Sequence, residues 1–435
     1  MGGPQPVVRG APADDATDTA AAASPPRRAA AMRFILIAVL IDIIAIGVMI
    51  PVLPHLVGQF TSSAVEQNYW YGAVSFAFAF ANFFGSPVLG ALSDAHGRRP
   101  VLLLGFTGLA LSFFVTAQAT ALWMLIAVRL VAGAMQSNAA VANAYVADIT
   151  DPAHRARHFG MIGAAFGAGF TIGPMLGGWL GAQDLHLPFY VSGVLALINA
   201  LYGWRVLPES LPPERRRPVD WRRANPVHAL HGLTQLQGVG PLVAIVACSG
   251  LAQFVLHVVW VLYGSYRFGW GPAENGGSLF AVGVMSIIVQ GGLLRHLLKR
   301  WSAATLVQWG LVSSTLAFVG WGLSTAPWML YAVMAANLLG FAVNTAVQSL
   351  ISQAADARSQ GATLGAVAAL NSLMAVLAPV IGAVLQAWGA HFPRDHLLVG
   401  LPFFFCALLQ LCSTLIAWRH FRRHPELTAR PAAAA

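Results

Sequence analysis

The sequence predicts an all-α membrane protein in which twelve transmembrane helices form two pseudo-symmetric six-helix bundles. Of the 435 residues, 57% are apolar and 9% are charged, whereas a soluble domain carries about 25% charged residues. Apolar runs of about 20 residues, long enough to cross a bilayer, recur along the chain. A polar stretch rich in Pro and Arg, at 208–240, separates six of these runs from the other six.

Gly, Pro and charged residues mark the ends of the predicted spans. The spans lie at 33–57, 70–91, 100–119, 122–147, 157–181, 187–207, 241–263, 275–297, 302–322, 327–350, 361–387 and 397–419. The N-terminal bundle therefore covers 32–207 and the C-terminal bundle covers 241–420, with 208–240 as the linker between them.

Two tails complete the predicted layout. Residues 1–31 are rich in Ala and Pro and predict a disordered tail, and residues 421–435 form the second tail. Met32 directly precedes the first span and is a candidate for the true start of translation.

The basic residues determine the predicted orientation. With twelve spans, all but three of the 25 Lys and Arg residues fall on one side of the membrane. Arg267 and Arg394 lie on the other side, and Arg129 lies inside the fourth span. Cytoplasmic loops collect Lys and Arg, so the linker and both termini are predicted to be cytoplasmic. These charges have no aromatic stacking platform beside them, and the net charge of +9 therefore does not indicate a nucleic-acid partner.

Asp42 is the acidic residue that lies deep inside a predicted span, about nine residues or 14 Å from its cytoplasmic end. A carboxylate there costs about 2.5–3.5 kcal/mol on insertion scales, so it must face a cavity or a partner. Arg129 is its natural counterpart, since a buried Arg can hold a carboxylate's charge in one state and release it in another. We therefore predict that Asp42 and Arg129 serve proton coupling. The alternatives are a permanently paired structural acid and an interhelical or snorkelling Arg.

The loop between the second and third spans carries more charge than a turn requires. Gly97 and Pro100 are sufficient to make the turn. The loop also contains Gly90, Asp94, Arg98 and Arg99. These extra residues predict a charged latch at the membrane surface of a protein that changes shape, with a topology-setting surface loop as the alternative. The corresponding loop of the second half, 292–301, keeps a Gly and the basic residues but has no acid, so the latch is expected on one half only.

The fifth span has one face almost without side chains. Its small residues and its proline are Gly169, Gly173, Pro174, Gly177, Gly178 and Gly181. A stripe of small residues lets another helix approach closely, and a proline bends the span. Four glycines in register beside a Gly-Pro pair form a more specific pattern than the single pair of small residues found in ordinary helix packing.

Polar side chains inside other spans are candidates for the lining of a central cavity, and hydrogen bonding between helices is an equal alternative for each. The candidates are Asn82, Asn138, Gln253, His257, Gln290, Asn344 and Gln348.

Together these segments resemble the major facilitator superfamily, and within it the twelve-span drug:proton antiporters of the tetracycline efflux group. The resemblance rests on the loop at 90–102, the fourth-span Arg motif at 125–133, the fifth-span motif at 169–178, Asp42 with 47–54, and Trp260–Tyr263 leading to Arg267. It implies alternating access, in which two halves rock about a central site while an inward-moving proton drives a small amphipathic substrate outward.

The resemblance also implies partners for the latch. Asp94 would face the start of the eleventh span near Gly361, where the helix dipole favours an anion. Arg98 or Arg99 would meet Asp148 and hold the cytoplasmic side closed in the outward-facing state. The resemblance implies a protein of a bacterial-type inner membrane, and we expect it to work as a monomer with its substrate, protons and the bilayer as partners.

The sequence departs from the family pattern at four positions. Ala95 stands where the loop motif usually has a basic residue. Ser112, Val312 and Ser286 stand where tetracycline pumps carry two acids and a His. A permease for a metabolite or sugar, importers included, is therefore the alternative, and a non-transporting receptor is a more distant one. The sequence has no nucleotide-binding loop, metal-spaced His/Cys cluster or nucleophile–base set, so we expect no enzyme activity, metal or cofactor.

Overall fold

The computed structural model describes residues 25–136, 138–151, 154–221, 225–226, 240–354 and 360–427. Most of the predicted N-terminal tail, much of the linker and the last eight residues lie outside the described residues. The described part of the chain is built from helices and their connections, without strands. The all-α fold predicted from the sequence is therefore confirmed.

Twelve helical spans, numbered α1 to α12, follow one another along the chain. They are α1, Pro25–Met49 continued by Leu53–Gly58; α2, Ala64–His96; α3, Arg98–Ala117; α4, Leu122–Met135 and Asn138–Ile149; α5, Arg155–Gly181; α6, Leu187–Val206; α7, Gly240–Phe268; α8, Pro272–Ile288 continued through Val289–Leu293 to Leu294–Arg300; α9, Ala303–Leu323; α10, Pro327–Ala336 and Val343–Ala354 joined by Gly340–Ala342; α11, Gln360–Gly389; and α12, Leu401–Arg423. Eleven of them are long and apolar enough to cross a membrane, and α10, bent by 59°, makes the twelfth among the described residues.

The structure differs from the sequence prediction at two places that matter below. Residues 25–31 are helical rather than part of a disordered tail, because Ala and Arg favour helix and Pro25 occupies the first turn, where a proline is tolerated. The fourth span, predicted over 122–147, is one span over Leu122–Ile149, but its helix is interrupted between Met135 and Asn138. Polar Gln136 accompanies this break.

Because successive spans run antiparallel, the connections alternate between two ends of the molecule. The basic end carries the turn at Gly97, the segment 207–221 and the residues Arg295–Arg300. The opposite end carries the connections 59–63, 182–186 and 269–271.

The hydrophobic core is divided at the basic end and joined at the opposite end. Near the basic end, one buried cluster draws only on residues 32–207 and another only on residues 242–421. At the opposite end, the cluster of the N-terminal half around Leu56 and Phe113 also contains the buried Leu262 of α7. Among the described residues, a buried apolar cluster therefore joins the two halves at the opposite end and not at the basic end.

Candidate functional site

The two halves pack closely at the opposite end, where glycines remove the side chains between helices. A Cβ added to Gly178 of α5 would lie 2.9 Å from the Cα of Gly276 of α8, which is too close for any side chain. A Cβ added to Gly72 of α2 would collide with Ala383 of α11 and would lie 3.2 Å from the carbonyl oxygen of Pro379. The glycine backbone therefore lies directly against the other half at both contacts, against the backbone of Gly276 in one and against the Ala383 methyl group and the Pro379 carbonyl oxygen in the other.

A hydrogen bond between the halves supplements this packing. The His55 ring, at the end of α1, places Nε2 3.3 Å from the carbonyl oxygen of Trp270. The same nitrogen lies 3.3 Å from the Ser265 hydroxyl of α7. The other ring nitrogen, Nδ1, donates to the carbonyl oxygen of Pro51 at 3.1 Å. His55 thus joins the N-terminal half to the C-terminal half by polar contacts.

The same helices separate toward the basic end. Several of their glycines lie where an added Cβ would have no described atom within 4 Å. These are Gly90 of α2, Gly160, Gly163 and Gly167 of α5, Gly291 and Gly292 of α8, and Gly365 of α11. A cleft between the halves therefore opens at the basic end.

A cavity of about 330 Å³ lies deep in this cleft, between α2 of one half and α7 and α11 of the other. Its lining is mostly apolar, with Phe78 and Phe254 from the two halves, and its polar groups include Ser75, Asn371 and Ser372. An apolar pocket with a few polar groups is the usual site for a small amphipathic molecule.

The predicted cavity residues of the C-terminal half have exposed side chains. Gln253 and His257 lie one turn apart on α7, and the His257 ring contacts the edge of Phe254, which lines the cavity. Asn344 and Gln348 lie one turn apart on α10, with Gln348 donating to Asn344 at 3.3 Å.

Two other candidates make contacts within their own half, and one of them, Asn82, also lines the cavity between the halves. Gln290 of α8 is exposed and donates to Ser286 at 2.6 Å. Asn82 of α2 donates to the carbonyl oxygen of Gln136 at 2.6 Å, at the break in α4. The amide of Asn82 therefore satisfies a backbone acceptor that the interrupted helix leaves unpaired.

Asp42 is buried in α1, with 4% of its surface exposed. Its carboxyl group accepts a hydrogen bond of 3.1 Å from Nδ2 of Asn138, the first residue of the second part of α4. Among the described side chains, this neutral amide is the partner that the structure gives to Asp42, and no ion pair joins Asp42 to Arg129. The structure therefore does not bring the predicted pair together.

Arg129 is buried on the first part of α4, away from any described carboxylate. Its guanidinium group contacts the Met49 sulfur and lies 6.0 Å from the centre of the Phe78 ring. The Nε atom has no hydrogen-bond partner among the described residues. Because an incompletely paired buried cation is costly, this side chain is free to gain a partner in another state.

Arg98 is the centre of the charged loop at the basic end. The largely buried side chain places Nη1 2.5 Å from Asp94 and Nε 3.1 Å from Asp148. Nη1 also donates to the Ser93 hydroxyl at 2.7 Å. One guanidinium group thus binds the end of α2 to the end of α4, while Arg99 donates to the carbonyl oxygen of Trp204 at 2.6 Å.

The resemblance implies a contact between Asp94 and α11, and among the residues that the structure describes no such contact is seen. The Asp94 side chain is 52% exposed, and its carboxylate pairs with Arg98. On α11, Gly365, one turn after Gly361, has no described atom within 4 Å of an added Cβ. The separation of the halves at the basic end accounts for this difference.

The predicted glycine stripe of α5 faces α1. A Cβ on Gly169 would lie 2.9 Å from Ile43, and one on Gly173 would lie 2.8 Å from the Cα of Gly47. A Cβ on Gly177 would collide with the backbone of Val48. Beside this stripe, the carbonyl oxygen of Pro174 lies against Gly276 of α8, so α5 packs on α1 with one face and on the other half with the next.

The structure has two bundles around a cleft, with charged contacts at one end and glycine contacts at the other. Two such halves around a site at their interface are typical of transporters. The family model described as Major Facilitator Superfamily matches residues 35–379. The chain belongs to the major facilitator superfamily. The resemblance seen in the sequence is therefore confirmed, and the protein is a multi-pass membrane transporter.

Relatives within the superfamily support the tetracycline-efflux resemblance. Tetracycline resistance protein, class C, of Escherichia coli is 36% identical over 360 residues, which make up 83% of this chain and 90% of that protein.

The crystal structure of the human organic anion transporter MFSD10 (TETRAN) has a TM-score of 0.67 at 23% identity and covers 90% of this chain and 100% of its own.

A second solved structure shares the fold. A bacterial homologue of the human lysosomal transporter Spinster, solved in an inward-facing and unoccupied conformation, has a TM-score of 0.73 at 16% identity. It covers 94% of this chain and 100% of its own. At these identities the two structural likenesses show the superfamily fold alone.

Glu209 is a partner of the charged loop that sequence reasoning missed. Its carboxylate lies just after α6 and accepts from the backbone N–H groups of Arg98 at 2.8 Å and Arg99 at 3.2 Å. These are orphan donors at the start of α3, where Gly97 has no side chain to cap them. A helix that begins with Gly-Arg-Arg was the available signal, since such a start needs an acceptor from elsewhere.

Proposed function

We propose that this superfamily member is a proton-coupled exporter of a small amphipathic compound of the tetracycline kind, in a bacterial inner membrane with its basic end in the cytoplasm. The observation that carries the proposal is Asp42, a carboxyl group buried in a span beside a neutral amide. Intramembrane acids are rare and usually functional. The 36% identity to a tetracycline resistance protein supports export of such a compound.

The cleft supports an alternating-access cycle. With the basic end in the cytoplasm, the structure is an inward-facing state, open at Gly163 and Gly292 and closed at Gly178. Substrate enters the cavity beside Phe78 and Phe254 from the cytoplasm. Rocking of the halves then closes the basic end and opens the opposite end, and Asp94 approaches α11 in that second state.

The second part of α4 links the proton site to the charged loop. Asn138 at its start binds Asp42, and Asp148, about 15 Å along the helix, binds Arg98 near its end. Protonation of Asp42 removes the charge that Asn138 contacts and so weakens this bond. In this proposal the segment Asn138–Ile149 then shifts relative to α1 and moves the loop at the basic end. Arg129, with its unpaired Nε, is available to the ionised Asp42 in the other state.

The test is proton-driven transport by Asp42→Asn in everted membrane vesicles. Asn is isosteric with Asp and retains an acceptor for Asn138 but cannot gain or lose a proton in the working pH range. We expect tetracycline accumulation driven by a pH gradient to fall at least tenfold, with normal expression and substrate exchange without a gradient retained. The matched control is Asp395→Asn, which removes an exposed acid at the opposite end and should leave transport unchanged.

The outcomes distinguish the role of Asp42 in proton coupling from the identity of the substrate. Gradient-driven transport that survives in Asp42→Asn contradicts the role of Asp42. If wild-type vesicles ignore tetracycline, the same pair of variants is tested with a panel of organic anions and amphipathic drugs in a pump-deficient host. Gradient-driven uptake of a sugar or metabolite into cells, with no export of any panel compound, contradicts the exporter proposal.

A further inference from the structure

A basic groove lies on the outer surface of the C-terminal half, away from the central cleft. It has a volume of about 610 Å³ and runs between α9 and α12 at the basic end, with Val312 on one side and Leu415 and Trp418 on the other. Arg419, Arg422 and Arg423 of α12 complete its lining. None of these residues takes part in the transport cycle described above.

The three arginines converge at i, i+3 and i+4 on one side of α12 and are all exposed. The Arg422 guanidinium lies 5.7 Å from the centre of the Trp418 ring, which orients it at the mouth of the groove. Within the described part of the chain, none of the three forms an ion pair. The nearby Glu426 instead accepts from His424 at 3.0 Å. Among the described residues, the groove therefore carries positive charge that no carboxylate pairs with.

An apolar track leads from the arginines toward the opposite end. Leu408, Leu411 and Leu415 follow one another on the same side of α12 and are 57%, 44% and 62% exposed. On α9, Trp309 packs edge-on against Trp418 with ring centres 6.5 Å apart. Leu316, two turns after Trp309 on α9, is 66% exposed. The surface thus combines a cationic end with an apolar strip along the membrane normal.

We propose that this groove binds one anionic phospholipid, with its phosphate on Arg419, Arg422 and Arg423 and an acyl chain along the leucine track. Guanidinium groups bind phosphate by paired hydrogen bonds, and basic pockets between transmembrane helices on the cytoplasmic side select anionic headgroups. A soluble phosphate would use the arginines but not the leucines. A zwitterionic lipid would bring an ammonium group toward three unneutralised cations, so an anionic headgroup is favoured.

The test uses the purified full-length protein and native mass spectrometry with phosphatidylglycerol added to the detergent. We expect one phosphatidylglycerol to bind more tightly than the rest, and the double variant Arg419→Gln/Arg422→Gln to weaken that binding about thirtyfold. This value follows because each arginine near an anionic headgroup contributes about fivefold. The control Arg157→Gln/Arg205→Gln removes two exposed charges from the same end of the N-terminal half and should leave the tight site intact.

Further arms keep the outcomes distinct. Arg419→Lys/Arg422→Lys retains the charge and should bind more tightly than the Gln pair, which shows that the surface itself is folded. Equal retention of phosphatidylglycerol by wild type and the Gln pair overturns the proposal. So does equal binding of phosphatidylethanolamine, equally strong competition by free glycerol phosphate, or equal competition by an acidic peptide, because each points to a different occupant.

Discussion

The two ends of the molecule are stabilised by different chemistry, which acts between the halves at one end and within one half at the other. At the opposite end, Gly178 and Gly276 bring two backbones together, and the Ser265 hydroxyl donates to Nε2 of His55 across the halves. At the basic end, Arg98, Asp94, Asp148 and Glu209 form a charged network that lies wholly within the N-terminal half and its connection to the linker. The contacts at the opposite end therefore join the two halves, whereas the contacts at the basic end lie within one half.

This difference shows which contacts are lost and which are kept when the cleft opens. The Arg98 network is complete in a structure whose basic end is open, so opening does not require its loss. The network instead holds the loop in place, and the half-exposed Asp94 is the member left available to a further partner. At the opposite end, separation of the halves must break glycine packing and the His55 contacts together.

The largest effect that tests this comparison is expected from Gly178→Val. Its new side chain would meet the carbonyl oxygen of Pro272 and the Cα of Gly276, which belong to backbone and cannot move aside. Overpacking of this kind costs about 3 kcal/mol, which should displace the equilibrium away from the closed opposite end. Spin labels at Gln59 and Asp395, in a background without the three native cysteines, should report a longer distance between the halves.

The control for Gly178→Val is Gly163→Val on the same helix. Gly163 has no described atom within 4 Å of an added Cβ, so the label distance at the opposite end should be unchanged. Equal distances in Gly178→Val and the wild type would contradict the assignment of this contact as the closed gate.

The second expected effect compares the charged loop of the N-terminal half with its counterpart in the C-terminal half. Arg98→Ala leaves Asp94 and Asp148 without their shared cation, and Asp148 is partly buried. We expect a loss of about 2 kcal/mol in the free energy of unfolding, because unmaking hydrogen bonds to charged groups costs about 1.5–3 kcal/mol. Thermal unfolding in detergent measures this loss, and transport should fall with it.

Arg295→Ala provides the comparison in the C-terminal loop. Arg295 has no described carboxylate partner, and its removal should change stability by no more than about 0.5 kcal/mol. Similar losses in the two variants would mean that the two loops act alike, against the one-sided arrangement seen in the structure.

The spans were predictable from the sequence because the bilayer leaves few choices. A chain inside lipid must satisfy its backbone internally, so each apolar run of sufficient length becomes a helix. The glycine stripe of α5 was predictable for a related reason, since Gly169, Gly173 and Gly177 leave a helix face that only close packing can fill. The break in α4 was not predictable from the sequence. Its polar residues lie within a run whose hydropathy indicates one continuous span.

The partners of the charged side chains were harder to predict than the helices. Opposite charge predicted Arg129 as the partner of Asp42, whereas in this structure Asp42 accepts a hydrogen bond from the amide of Asn138. Arg129 and Asn138 lie on different parts of the broken helix, so only one of them reaches Asp42. Glu209 contacts the start of α3 across more than a hundred residues, and no local pattern encodes a contact of that range. Which end of the cleft is open is likewise a property of packing between halves.

The smallest expected effect comes from His55→Gln at the opposite end. Gln has a single amide group and does not reproduce the ring, whose Nδ1 donates to the Pro51 carbonyl oxygen while Nε2 accepts from the Ser265 hydroxyl of the other half. Loss of one such hydrogen bond costs about 1 kcal/mol. The distance between spin labels at Gln59 and Asp395 should therefore lengthen, as in Gly178→Val, but in a smaller fraction of the molecules. His186→Gln is the matched control, because His186 contacts the Ala117 carbonyl oxygen within its own half at the same end. A shift as large in His186→Gln as in His55→Gln would show that the ring at 55 stabilises its helix end rather than the contact between the halves.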